Sequence, residues 1–125
     1  MSASSKAARP LLLGHNQFAL VAALYLAPER SFDSRREWAE AASSIRRAFP
    51  GSNELSGPIK AQPSVLRRAL VVTKRRGSAK PVWLSLRGVA LCEGRIAGAV
   101  RFEGTKEPVS MARALARLAT GLAAT

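Results

Sequence analysis

The chain has one cysteine, one histidine and a single aspartate among its 125 residues. A lone Cys92 excludes an intrachain disulfide, and with His15 as the only imidazole no Cys/His set can enclose zinc. Beside Leu91, Cys92 reads as a small apolar packing residue, and the lack of any disulfide framework points to a reducing, cytoplasmic setting. No apolar run is long enough to cross a bilayer. Lys6, Arg9 and Leu11-Leu12-Leu13 imitate the start of a signal peptide, but Gly14-His15-Asn16-Gln17 interrupts it, and the run at 18–27 has only ten residues. Glycine loops that cradle phosphate, nucleophile–base pairs and metal-ligand sets are all missing, so neither an enzyme nor a cofactor is expected.

Aromatic residues are also few, seven in all. Phe18, Tyr25, Trp38 and Phe49 fall in apolar helical stripes and belong to the core. Only Trp83 is placed to stack on a base, which argues against a platform for single-stranded RNA.

The third absence is the most informative. Between residues 55 and 92 there is no Asp or Glu, yet the stretch carries Lys60, Arg67, Arg68, Lys74, Arg75, Arg76, Lys80 and Arg87. The whole chain has a formal net charge of +12, with twenty basic against eight acidic residues. A surface of one sign repels itself unless something anionic neutralises it. Nucleic acid is the first partner such a balance fits, then an anionic membrane surface or an acidic protein.

Local patterns divide the chain into a disordered basic arm (1–9), a main domain (10–91) and a C-terminal extension (92–125). Residues 11–13 are compatible with a strand or a lead-in turn. Asn16 reads as the cap of a first helix ending before Pro28, apolar on nearly every side and therefore central. Ser34-Arg35-Arg36-Glu37 is a capping box, and Trp38, Ala42, Ile45 and Phe49 follow as one stripe; Arg46 and Arg47 read as solvent-exposed at its end. Residues 51–62 are either a loop leading to a short helix at Pro63-Ser64, or part of a helix from Pro58 that takes Pro63 inside it. Residues 70–75 and 82–86 form two strands around a cationic turn at Gly77-Ser78. A third strand is expected within 95–103. A last helix over 107–122 carries the stripe Met111, Leu115, Leu118 and Leu122, which would serve either to pair two copies or to pack on the chain's own core.

The order of helix, capped helix, short helix and basic hairpin resembles the winged helix-turn-helix family of MarR-like and related repressors, over about residues 14–91. Residues 18–27 look like its first core helix. Asp33-Ser34-Arg35-Arg36-Glu37-Trp38-Ala39-Glu40-Ala41 is similar to its second-helix pattern, and residues 66–73 to the end of its recognition helix. Leu84-Ser85-Leu86-Arg87-Gly88 resembles the family's Leu-Thr-x-x-Gly exit from the wing, with Ser85 in the threonine place. The 51–62 link is longer and richer in proline than the family's turn, and the long dimerisation helix after the wing is replaced by a glycine-spaced segment.

The resemblance implies an α+β fold of three helices and a β-hairpin wing, extended by a C-terminal strand and helix. It implies a small regulator that binds double-stranded DNA sequence-specifically and is a possible homodimer through 107–122. A recognition helix near 63–69 would offer Ser64, Arg67 and Arg68 to base edges or phosphate. Lys74, Arg75, Arg76 and Lys80 in the wing, with Arg35, Arg36 and Lys60, would grip the backbone. Two other roles fit the composition: a non-specific accessory protein on RNA or nucleoid DNA, and an inhibitor or interaction protein whose hairpin docks on an acidic protein.

Overall fold

A computed structural model describes residues 10–47, 56–74, 80–102 and 106–123. The fold is mixed α and β, five helices with two small three-stranded sheets among the described residues. Its centre is α1 (His15–Leu26), in which Phe18 and every residue on to Leu24 are buried. The helix follows directly from strand β1 (Leu11–Gly14), so its cap position falls to Gly14 and not to Asn16. Gln17 reaches back, its Oε1 accepting the Gly14 N–H at 2.8 Å. Asn16 is thereby released for another task, accepting a 2.7 Å hydrogen bond from Arg46 Nε.

Helix α2 (Arg35–Arg46) follows β2 (Ser31–Phe32), a short strand with no expectation in the sequence. Ser34 caps the helix as its sequence suggests, its Oγ accepting the Glu37 N–H at 3.2 Å. Trp38, Ala39, Ala42 and Ile45 are buried, and Trp38 Nε1 donates to the Leu20 carbonyl of α1 at 2.9 Å. An indole N–H at this depth needs such an acceptor, because an unsatisfied buried donor costs about 1–3 kcal/mol. Arg46 departs from expectation: it is only 4% exposed, because the last turn of α2 faces the start of α1 and Asn16 receives its guanidinium. Arg47 is exposed as expected. Phe49 and residues 1–9 lie outside the described residues.

The ambiguity over 51–62 is resolved within its described part: α3 runs from Ser56 to Arg67 and contains Pro63. Pro58 sits in the first turn, where the missing N–H has no helical partner anyway. Pro63 is costlier, since it removes the donor to the Ile59 carbonyl and crowds it, an expense of about 3 kcal/mol. Packing compensates. Pro58, Gln62 and Val65 are buried; Gln62 Nε2 donates to the Arg35 carbonyl at 2.8 Å; Ser64 Oγ accepts from Gln17 Nε2 and donates to the Ala61 carbonyl, both at 2.8 Å.

The helix ends abruptly. Ala69 adopts a left-handed φ of 60°, its N–H returns to the Leu66 carbonyl at 3.0 Å, and the Leu70 N–H returns to Val65 at 3.4 Å. That pair of bonds is a Schellman closure, normally built on glycine, with buried Leu70 over buried Val65 as its apolar clasp.

Strands β3 (Val71–Thr73) and β4 (Val82–Leu84) pair antiparallel, Val72 opposite Trp83, and β2 adds to the far side of β4 to give the order β2-β4-β3. Leu86, expected to finish the second strand, instead begins α4 (Leu86–Cys92). Cys92 is buried, and burial pushes its thiol up to about 12.

The C-terminal segment is part of the same structure. Strand β5 (Gly98–Arg101) lies parallel to β1, with Leu13 against Val100, and β6 (Val109–Ser110) closes that sheet antiparallel. Helix α5 (Met111–Ala123) buries Met111, Ala114 and Leu118 against this sheet and α4. Of the apolar stripe, Met111 and Leu118 are thus occupied within the chain and Leu115 is partly buried at their margin, while the side chain of Leu122 lies outside the described residues. Phe102 packs edge-on to Phe18 at 5.8 Å, and the Arg117 guanidinium lies over the Phe102 ring at 4.7 Å. No helix among the described residues is long and apolar enough to cross a membrane.

Candidate functional site

Helix α3 has one face in the core and one in solvent, and the division follows its period. Pro58, Gln62 and Val65 point inward, while Ile59, Lys60, Pro63 and Arg67 are exposed. Ile59, Pro63 and Arg67 recur every four residues and therefore line up, with Lys60 beside them. No carboxylate is available to neutralise this face from its own segment, since residues 55–92 contain none.

The two other polar residues assigned to this helix have internal duties. Ser64 is partly buried and bonded on both sides, to Gln17 and to Ala61. Arg68, just past the helix, turns its guanidinium onto the Leu12 carbonyl of β1. That contact ties the end of α3 to the outer edge of the other sheet, so Arg68 serves the scaffold while Arg67 stays in solvent.

The hairpin presents Lys74 and Lys80 at the two ends of its connection, both exposed, and the Lys74 N–H pairs with the Pro81 carbonyl at 3.4 Å. Arg75 and Arg76 fall outside the described residues. None of the side chains of Lys60, Arg67, Lys74 and Lys80 makes an ion pair with a described residue. Trp83 is half-buried on the middle strand, opposite exposed Val72.

How the hairpin is held to α3 explains why Ser85 and Gly88 stand where they do. Three successive carbonyls at the end of α3 point at the start of α4. Arg68 O accepts from Arg87 Nε at 3.2 Å, Ala69 O from Ser85 Oγ at 2.6 Å, and Leu70 O from the Ser85 N–H at 3.0 Å. The same Ser85 Oγ caps α4 by accepting the Gly88 N–H at 3.0 Å. Gly88 lets the two ends meet: a Cβ there would stand 2.4 Å from the Leu70 carbonyl oxygen. One serine and one glycine thus lock the exit of the hairpin onto the end of the helix before it.

Arg35 and Arg36 stand apart from this arrangement. Both are exposed at the start of α2, but Arg36 pairs with Glu40 at 3.4 Å. Glu29, Asp33, Glu37 and Glu40 line an open groove of about 570 Å³ with Pro28 and Phe32. Half of the chain's eight carboxylates gather here. Asp33 and Glu37 also favour the positive end of α2. The first turn of α2 is therefore locally acidic as well as basic, and Arg35 and Arg36 contribute less to a cationic surface than Lys60 or Arg67. Among the described residues no group of His, Cys, Asp and Glu is placed to hold a metal ion.

Sequence reasoning missed Ile59, which is 46% exposed on the outward stripe of α3. Its signal was the helical period counted from Ser56, hidden by the two prolines. Searches against protein-family models, curated proteins and solved structures find no match to this chain.

Proposed function

We propose that the protein binds double-stranded DNA as a winged helix-turn-helix regulator, with α3 as the recognition helix and the β3–β4 hairpin as the wing. The observation that carries this reading is the order α1, β2, α2, α3, β3, β4 with the sheet arranged β2-β4-β3. In that arrangement a helix with an exposed cationic face leads directly into a cationic hairpin, and a third strand braces the hairpin from behind. The Ser85–Gly88 lock supports it further, because a wing that grips a phosphate backbone must be fixed relative to the helix it flanks. Lys74, Lys80, Arg75, Arg76 and Lys60 give affinity with little sequence information, while Arg67 faces the base edges.

Salt titration of binding to a duplex DNA pool and to duplex RNA tests the reading. A log–log slope between about −4 and −7 on DNA, with weaker binding to RNA, is the expected result. Equal affinity for both duplexes points instead to backbone charge alone. Failure to bind either duplex overturns the reading.

A further inference from the structure

The outward stripe of α3 combines residues that rarely share a helix surface. Two are cationic, Lys60 and Arg67, and two are apolar, Ile59 and Pro63, all four exposed. A single exposed isoleucine needs no explanation. A proline in the eighth position of a helix does, because it weakens the helix it sits in and here fills no core space. Departures of this kind from local sequence rules concentrate where function requires them. Ile59 and Pro63, one turn apart, make a continuous apolar ridge with a cation beside it and another at its end.

We infer that this ridge reads thymine: Ile59, flanked by Pro63, packs against the 5-methyl group of a thymine in the major groove, and Arg67 takes a guanine further along. The inference rests on the DNA-binding reading above. The chemistry follows from the groove. Thymine is the only base that offers a methyl group there, and an apolar side chain is what recognises it, whereas guanine offers the paired acceptors an arginine fork fits. The spacing is set by the helix. Ile59 and Arg67 are eight residues apart, about 12 Å at 1.5 Å per residue, which spans three to four base pairs at about 3.4 Å each. Lys60, on the flank of the ridge, is left for the adjacent phosphates. No carboxylate of this segment competes with the arginine or repels the backbone.

The test starts from duplexes selected by the full-length protein out of a random pool. The best duplex is resynthesised with each thymine in turn replaced by deoxyuridine, which removes the methyl group and keeps every hydrogen-bonding atom. The inference expects at least one replacement to weaken binding about fourfold, the worth of one buried methyl group. In Ile59→Ala, an exposed-site change that leaves the fold intact, the same replacement has no further effect. In Arg67→Ala the preference for a G·C pair three to four steps away is lost, about tenfold or more. Tight, selective binding with no methyl dependence, or a methyl effect that survives in Ile59→Ala, overturns the inference and leaves DNA binding standing. A protein that selects no duplex at all overturns both.

Discussion

Replacing Gly88 by alanine is the most direct probe of how the hairpin is fixed. The added Cβ would lie 2.4 Å from the Leu70 carbonyl oxygen and 2.6 Å from Leu84 Cδ1. The leucine side chain can rotate, but the carbonyl cannot. To restore a carbon–oxygen contact of about 3.3 Å, the start of α4 must retreat by about 0.9 Å. The Ser85 Oγ bond to Ala69 O, now 2.6 Å, and the Ser85 N–H bond to Leu70 O, now 3.0 Å, are then both lost or badly stretched. Two net hydrogen bonds at about 1 kcal/mol each and about 1 kcal/mol of disturbed packing oppose a helix-propensity gain of about 1 kcal/mol for alanine over glycine. The balance is a loss of about 2 kcal/mol. Across 125 residues, that lowers the thermal midpoint by about 8 °C. Urea unfolding followed by tryptophan fluorescence measures it, since Trp38 is fully buried. If the variant proves as stable as the parent, or more so, α4 does not meet the end of α3 as closely as described, and the reasoning fails.

Other perturbations have equally definite outcomes. Arg46→Ala deletes a buried guanidinium bonded to Asn16 and is expected to cost about 2–3 kcal/mol in urea unfolding. Pro63→Ala restores the donor to the Ile59 carbonyl and should stabilise the protein by about 1–3 kcal/mol, read in the same assay. The Cys92 thiol, pushed up by burial to about 12 from an ordinary 9.0, favours the folded state fully below pH 9. That contribution is lost as pH rises from there towards 12, so Cys92→Ala should flatten the decline in stability over this window and leave its pH dependence below 9 unchanged. Lys74→Ala and Lys80→Ala should each make the salt slope of DNA binding shallower by about 0.9.

What the sequence disclosed divides along physical lines. Elements with strong local signals, such as the all-apolar α1 and the Ser34-capped α2, were legible because cap and period act within a few residues. Resemblance alone singled out Ser85 and Gly88; the geometry supplies their reason, a cap shared between two helices and a contact too close for a Cβ. Arg46 misled because burial of a charge depends on a partner thirty residues away, Asn16, which no periodicity reveals. The start of α3 was obscured by proline, whose local penalty tertiary packing overrode. β2 and β6, two residues each, are strands only because of what lies beside them. On the candidate surface, Lys60, Arg67, Lys74 and Lys80 were found by charge, whereas Ile59 required the helix boundary first.

The parallel pairing of β1 with β5 has a consequence for how the chain is made. Leu11 and Gly98 are 87 positions apart, and closing a loop of that length costs about 4 kcal/mol of chain entropy before any contact forms. During synthesis, β1 and the exposed edge beside α1 wait without a partner until residue 101 has emerged. The helices and the hairpin, whose contacts are more local, can assemble in that interval. The growing chain would therefore acquire its α3–hairpin surface first and seal its central helix only once β5 can pair with β1.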